Sequence, residues 1–359
     1  MKKAQLSMQF NWIFVLIAGA LILVFFANVI TTQTKFSRSK IAATVLNDID
    51  AISTGAEVSR GTIQVINVPN LDLGFRCTET CSCTYSLSDA QVPYGDKVMF
   101  APELLKGIRM LAWTNDWNMP YRVSNMVYLT SPEVRYIILD NNADIATNTE
   151  AELPPRFMKI DDSDELVFNK ELVNDLTSLE DLNNYKVKII AFEPFAAFSN
   201  VPDAFQKMGD SFVSALEVDK NARTVTFYQK QGNSWGPGTT LPYLADSLLY
   251  AAIFSEDPQM YKCGAERILQ KMQFVTDVYQ ERTSGLRLST SNPVCQTAYD
   301  TSIDTIDDIK TTVENILQEG LEENDVPLLR DLNDLAFGAA GLNRKNEALQ
   351  TASDCRGMY

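Results

Sequence analysis

Residues 12–30 read WIFVLIAGALILVFFANVI, nineteen consecutive residues without a charge, and the pair Lys2-Lys3 precedes them. A helix rises about 1.5 Å per residue, so this stretch is about as long as the hydrocarbon core of a bilayer is thick. Exposing so much apolar surface to water is unfavourable, which makes the lipid bilayer its expected partner. The sequence therefore predicts a basic N-terminal segment at residues 1–10 and a transmembrane helix at residues 11–30.

The charge distribution separates this N-terminal segment from the rest of the chain. The first forty residues contain five lysines and arginines and no acidic residue, which leaves 26 basic and 46 acidic residues in the remainder. A net charge of about −20 in that remainder argues against nucleic-acid binding, which needs clustered Lys and Arg to neutralise phosphates. The chain also contains no histidine, which excludes Ser-His-Asp catalysis, Cys-His catalysis and imidazole metal sites.

The residues before the apolar stretch carry a family resemblance. Lys3-Ala4-Gln5-Leu6-Ser7-Met8-Gln9-Phe10 resembles the class III signal peptide of archaeal type IV pilin-like proteins, in which a basic and a small residue precede the cut. The resemblance implies processing between Ala4 and Gln5 and a long membrane-inserted helix. Ala4 stands where that family usually has glycine. Gln9 stands where it usually has a glutamate, thought to neutralise a neighbouring subunit's N-terminus. Because Gln9 is neutral, the resemblance supports a membrane-inserted N-terminus more than a filament subunit.

The cysteines indicate on which side of the membrane the bulk of the chain lies. Basic residues flank the apolar stretch on both sides, so they do not decide its orientation. An even number of cysteines, all outside the span, is typical of disulfides in an oxidising compartment. We therefore predict a single-pass protein of the cell membrane with residues 41–359 outside the cytoplasm. The six disulfide candidates are Cys77, Cys81, Cys83, Cys263, Cys295 and Cys355.

The first three of these cysteines permit two interpretations. One is a disulfide-tied loop between strands. The other is a thiolate metal site completed by a fourth cysteine from elsewhere, although the spacing is not the Cys-x-x-Cys of zinc ribbons. We favour disulfides and predict no metal ion and no cofactor. Two of the first three cysteines are expected to pair locally, and the last three to supply another bridge.

The chain behind the apolar stretch is predicted to have a mixed α+β fold, with some α/β character. Its regions are an amphipathic continuation helix at 31–57, a β-rich cysteine-containing region at 58–132, an α/β region with a hairpin at 133–240, and a helical region at 241–359. Within them, short apolar runs predict parallel strands at 134–139 and 186–192. The spacing of Leu172, Leu176 and Leu179 predicts a helix at 169–182, and two separate helices are predicted at 327–337 and 342–352.

Two carboxylates are the candidate catalytic groups. Asp140 and Glu193 follow the two predicted parallel strands, so both are expected at the same sheet edge, where paired carboxylates support glycan hydrolysis. Helix capping or loop hydrogen bonds explain the same residues more simply. The sequence contains no phosphate-binding glycine–lysine motif, no dinucleotide-binding fingerprint and no Gly-x-Ser-x-Gly motif. We therefore favour a non-enzyme and assign no catalytic residue.

A second, looser resemblance covers more of the chain. The pilin-like start, the early cysteine cluster, Tyr261-Lys262-Cys263 at the opening of a long helix, and Cys355 near Tyr359 together resemble membrane-anchored surface proteins of small-genome archaea. It implies no known activity. The preferred hypothesis is an extracytoplasmic structural or interaction protein whose partners are other membrane or surface proteins, second copies included. The alternatives are a pilin-like filament subunit processed after Ala4 and a carboxylate-dependent envelope hydrolase.

Overall fold

The computed structural model describes residues 2–59, 61–68, 72–87, 90–139, 168–177, 179–180, 185–192, 200–321, 326–352 and 354–359. The helices are α1 (Lys2–Val58), α2 (Asp246–Phe254), α3 (Pro258–Ser289), α4 (Pro293–Glu319) and α5 (Val326–Thr351). Short 3₁₀ turns lie at Asp203–Phe205 and Asp210–Phe212. The strands are β1 (Ile63–Asn67), β2 (Leu73–Cys77), β3 (Cys83–Leu87), β4 (Ala90–Pro93), β5 (Met99–Phe100), β6 (Leu104–Leu105), β7 (Arg109–Asn118), β8 (Arg122–Thr130), β9 (Val134–Leu139), β10 (Lys170–Val173), β11 (Lys186–Ala191), β12 (Val213–Asp219), β13 (Thr224–Gln231), β14 (Ser234–Trp235) and β15 (Thr239–Pro242).

These elements give an α+β architecture with an apolar N-terminal helix, a β-rich first half and a helical C-terminal part. One sheet has the order β1-β7-β8-β5 and a second the order β4-β3-β2-β6. A third sheet has the order β10-β9-β11-β12-β13-β14, and β15 pairs with β13. The hairpin expected around residues 219–223 is confirmed, because β12 and β13 pair antiparallel with Ala215 opposite Tyr228.

The third sheet contains the two predicted parallel strands. β9 and β11 pair in parallel, with Ile137 opposite Ile189, and every residue of both strands is buried. The helix predicted at 169–182 is wrong. The structure has strand β10 in that segment, parallel to β9. The leucines happen to be spaced as in a helix, but backbone pairing with β9 determines the local structure.

Helix α2 occupies the centre of the molecule. All residues from Ser247 to Phe254 are buried, as expected for a helix that is apolar around most of its circumference. Trp113 of β7 lies with its ring centroid 5.0 Å from that of Tyr250, and Phe254 lies 5.7 Å from Tyr136 of β9. The helix therefore joins the first sheet to the third. Trp117 is also buried, so the tryptophans at 113 and 117 are core residues.

The C-terminal part consists of long helices packed side by side. Ile306, Ile309, Val313 and Ile316 of α4 are buried and follow one another at three- and four-residue steps, as one face of a helix requires. The two helices predicted at 327–337 and 342–352 are wrong in one respect, because a single helix, α5, covers both. The residues between them, Gly338 and Gly341, are tolerated inside this helix because its neighbour α4 packs along it.

A close approach between α3 and β5 gives the first testable prediction. A Cβ atom added at Gly264 would lie 2.2 Å from Cε1 of Phe100, whose side chain is fully buried. Gly264→Ala is therefore expected to destabilise the chain by about 1–3 kcal/mol through overpacking. Gly285 of the same helix has no atom within 4 Å of such a Cβ, so Gly285→Ala is the control and should be neutral or stabilise by up to about 1 kcal/mol. Urea denaturation of the full chain in detergent measures both. Equal stability of the two variants would contradict the close packing.

Candidate functional site

The segment Val15–Gln33 of α1 presents an apolar surface that no part of the described structure buries. Residues Val15–Gln33 form a segment of 19 residues that is long and apolar enough to cross a membrane, and none of it is buried inside the described structure. At about 1.5 Å per residue its length matches a bilayer core. N-terminal signal sequences also meet this length and composition. Its most exposed apolar side chains include Leu16, Leu21, Leu23, Phe25 and Ile30.

The C-terminal half of the same helix packs on the body of the protein. Ala42, Leu46, Ile49 and Ser53 are buried, and they follow one another at three- and four-residue spacing. Ala42, Leu46 and Ile49 belong to the main hydrophobic core, and α1 contacts β3, β4 and β8. The continuation helix predicted at 31–57 is therefore present. One unbroken helix therefore connects the apolar segment Val15–Gln33 to the core.

A polar contact fixes this docked half of α1. The Lys97 ammonium donates hydrogen bonds to the Asp50 backbone oxygen at 3.0 Å and to its carboxylate Oδ1, and the Tyr85 hydroxyl donates to the same Oδ1 at 2.9 Å. The hydrogen bonds from Lys97 and Tyr85 hold the pKa of Asp50 below its ordinary value. Burial raises the pKa of Tyr85, so its hydroxyl stays a donor at neutral pH.

This contact gives a pH-dependent prediction. Because the folded pKa of Asp50 is lowered, its contribution is fully present above the unfolded value of about 3.9 and is lost as the pH falls through the folded value. Asp50 is half exposed, so we expect a contribution of at most about 1 kcal/mol. The free energy of unfolding of Asp50→Asn, measured between about pH 6 and pH 3, should fall less steeply than that of the wild type. Asp48→Asn, an exposed position two residues earlier, is the control and should follow the wild type.

The six cysteines lie in three pairs at disulfide distance. Cys77 and Cys83 face each other across β2 and β3, which is the local pairing expected among the first three. Cys295 pairs with Cys355 and ties the start of α4 to the last residues of the chain. The third pair, Cys81–Cys263, joins the tip of the β2–β3 hairpin to the first turns of α3. The sequence did not predict this third pairing.

The Cys77–Cys83 and Cys81–Cys263 pairs form one four-sulfur cluster, defined by Cys77, Cys81, Cys83 and Cys263. The Sγ atoms of Cys77, Cys83 and Cys263 all lie within 4.8 Å of one another, and Cys81 Sγ is 2.03 Å from Cys263 Sγ. Arg267 of α3 holds the hairpin tip by donating from Nη2 to the Cys81 backbone oxygen at 2.7 Å. Hairpin and helix are therefore fastened together by covalent and polar contacts at the same point.

A cavity of about 580 Å³, lined about equally by polar and apolar surface, opens between the second and third sheets. At its rim Arg76 Nη2 lies 2.9 Å from Glu103 Oε1, and both side chains are largely exposed. At its floor Lys186 of β11 pairs with Glu256, and both of these side chains are only 4% exposed. Because each cation already faces a carboxylate, the cavity presents balanced charge and suits a neutral hydrogen-bonding ligand better than an anion. Its other polar lining residues are Thr84, Ser86, Gln91 and Ser211.

The buried charges beneath this cavity were missed by the sequence reasoning. Lys186 and Lys188 alternate with Val187 and Ile189 on β11, so both lysines lie on the face directed toward α2. Lys188 Nζ donates to the backbone oxygens of Ala252, at 2.7 Å, and Ser255, which are free acceptors at the end of α2. Burial lowers the pKa of Lys188 to about 7 and raises that of Glu256. The two lysines in the otherwise apolar strand β11 are the sequence feature that could have indicated these buried charges.

The proposed carboxylate pair lies outside the described residues, since neither Asp140 nor Glu193 is among them. The strands that precede them do end together, with Leu139 of β9 opposite Ala191 of β11. Ala4 and Gln5, the predicted processing site, lie in the first turns of α1.

A comparison with known protein families, with curated proteins and with solved structures finds no match for this chain.

Proposed function

We propose that this chain is a single-pass membrane protein whose disulfide-tied body lies outside the cytoplasm and serves a structural or interaction role in a cell-surface assembly. The observation that carries the proposal is the division of α1 into two halves. Val15–Gln33 is apolar and uncovered, while Ala42, Leu46 and Ile49 are buried in the core. A lipid bilayer would remove the first half from water, and the second half would hold the body at the membrane surface.

The disulfides support the extracytoplasmic side of the proposal. Three disulfides persist in oxidising compartments and are rare where glutathione and thioredoxin keep thiols reduced. The acidic body also disfavours lying flat against anionic lipid, so it would project from the membrane. Its partners would then be other surface proteins, including further copies of this chain.

Fractionation combined with thiol counting tests this proposal. The chain should remain in the membrane pellet after an alkaline wash, and none of its six cysteines should react with maleimide until a reductant is added. A chain that leaves the pellet, or one that shows reactive thiols before reduction, would count against it.

A pilin-like filament subunit is the second candidate. Its support is the continuity of α1, a single helix of 57 residues with an uncovered apolar half, which suits packing of apolar helices from many copies. Mass spectrometry of the mature N-terminus separates the two candidates. A terminus at Gln5 would favour the filament subunit, whereas retention of Lys2-Lys3 would eliminate it.

A further inference from the structure

The four-sulfur cluster brings together ligands from two distant parts of the chain. Cys77, Cys81 and Cys83 lie on and beside the β2–β3 hairpin, and Cys263 comes from α3, 182 residues after its partner. Four cysteine thiolates are one of the usual ligand sets of a structural zinc site, and the sequence spacing alone could not show where the fourth lies. We propose that the reduced form of this cluster is a tetrathiolate site for one Zn²⁺-like divalent ion. This inference does not depend on the proposed membrane function.

The distances between the sulfurs fit that coordination. With Zn–S bonds of about 2.3 Å, the sulfurs of a tetrahedral site lie about 3.8 Å apart. In the oxidised cluster three of the four sulfurs already lie within 4.8 Å of one another. Reduction opens both S–S bonds, and movements of about 1 Å then bring the Cys263 sulfur to this spacing from those of Cys77 and Cys83. The Cys81 side chain, whose sulfur lies beside that of Cys263, has to turn toward the other two. Movements of this size are within the reach of side-chain rotation.

Neighbouring groups are placed to stabilise thiolates. Gln259 Nε2 lies 3.1 Å from Cys263 Sγ, and the Tyr94 hydroxyl lies 3.4 Å from Cys77 Sγ, so an N–H and an O–H can each donate to a sulfur. Donors of this kind orient and tune metal-bound thiolates. The Arg267 guanidinium lies 5.2 Å from the centre of the Tyr94 ring and adds positive charge near the cluster. The Glu266 carboxylate, with Oε2 3.4 Å from Cys81 Sγ, would repel a thiolate there. Its negative charge is partly balanced by Lys262, whose Nζ lies 3.9 Å from Glu266 Oε1.

The conversion balances in electrons and protons. Each disulfide takes two electrons and two protons from a dithiol reductant, which itself becomes a disulfide, and leaves two thiols. Binding of the metal then releases the four thiol protons to solvent. Oxidation by a disulfide, which is itself reduced to a dithiol, reverses both steps and releases the ion, so the cluster exists either as two disulfides or as one metal site.

Cobalt titration of the full chain in detergent tests the proposal. The chain is reduced with an excess of dithiothreitol, the reductant is removed without oxygen, and Co²⁺ is added as the probe. The expected result is one Co²⁺ per chain with the visible absorption bands of tetrahedral tetrathiolate coordination, displaced by one equivalent of Zn²⁺. Far-ultraviolet circular dichroism follows the fold in parallel.

Two double variants make the result specific. The variant C81S/C263S should weaken metal binding by more than about 100-fold, because it removes two of the four ligands. The matched control C295S/C355S removes the other disulfide and should bind as the wild type does. Reduced wild-type chain that binds no Co²⁺, whether folded or not, overturns the proposal. Binding that persists in C81S/C263S, or that is lost only in C295S/C355S, overturns it as well.

Discussion

Replacing Leu21 and Val24 together by aspartate should release the chain from membranes. Both side chains are exposed on the described structure, and both lie near the middle of Val15–Gln33. An aspartate at the centre of a membrane helix costs about 3 kcal/mol, so the pair shifts insertion by about 6 kcal/mol. That shift corresponds to about four orders of magnitude in the insertion equilibrium. The chain should move from the pellet to the supernatant after an alkaline wash of isolated membranes.

The matched control for this experiment is the double replacement of Leu21 and Val24 by alanine. Alanine shortens the side chains but adds no charge, so the chain should stay in the pellet. Circular dichroism of the aspartate variant should keep the helical signal of the body, because the buried half of α1 is unchanged. If the aspartate variant sediments with membranes as the wild type does, this helix is not what attaches the chain.

Lys186→Met should lower the free energy of unfolding by about 3–5 kcal/mol. Lys186 and Glu256 form an ion pair in which both side chains are almost fully buried. Removing the lysine leaves a carboxylate uncompensated in the core, which is the costly way to break a buried ion pair. Burial already raises the pKa of Glu256 in the presence of Lys186, so the variant should be least destabilised at acidic pH, where this carboxyl is protonated.

A double-mutant cycle separates lost charge pairing from lost packing. Glu256 Oε2 also accepts a hydrogen bond from the Glu103 backbone N–H at 2.7 Å, so Glu256→Gln is the suitable partner change because it keeps an acceptor. Lys186→Met with Glu256→Gln should recover at least about 2 kcal/mol of the single variant's loss. Urea denaturation of the four proteins gives the coupling energy. A single variant within about 1 kcal/mol of the wild type would show that the pair is not buried as the structure has it.

Local patterns in the sequence predicted the elements whose structure depends on nearby residues. The docked half of α1 was predicted as an amphipathic continuation helix at 31–57. Strands β9 and β11 were predicted from short apolar runs, because burial on both faces leaves few polar positions. Helix α4 lies in the region at 241–359 that was predicted to be helical. In each case, the positions of the apolar residues along the chain determine which face of the element is buried.

Contacts between distant residues were not predictable in this way. Strand β10 forms because Leu172 and Val173 pair with β9, which no local spacing reveals, and the leucines there happen to repeat at a helical period. The pairing of Cys81 with Cys263 requires the hairpin tip to meet α3. The roles of Lys186 and Lys188 likewise appear only once β11 lies against the end of α2.

Labelling of a single new cysteine can show on which side of the membrane the body lies. Phe337 of α5 is 74% exposed. All six native cysteines are paired, so the cysteine of Phe337→Cys is the only free thiol of that variant. Intact cells that express this variant are treated with a membrane-impermeant maleimide, beside the wild type and beside lysed cells. If the body lies outside the cytoplasm, Phe337→Cys is labelled in intact cells to the same extent as after lysis, and the wild type is not labelled. Labelling only after lysis would place the body in the cytoplasm instead.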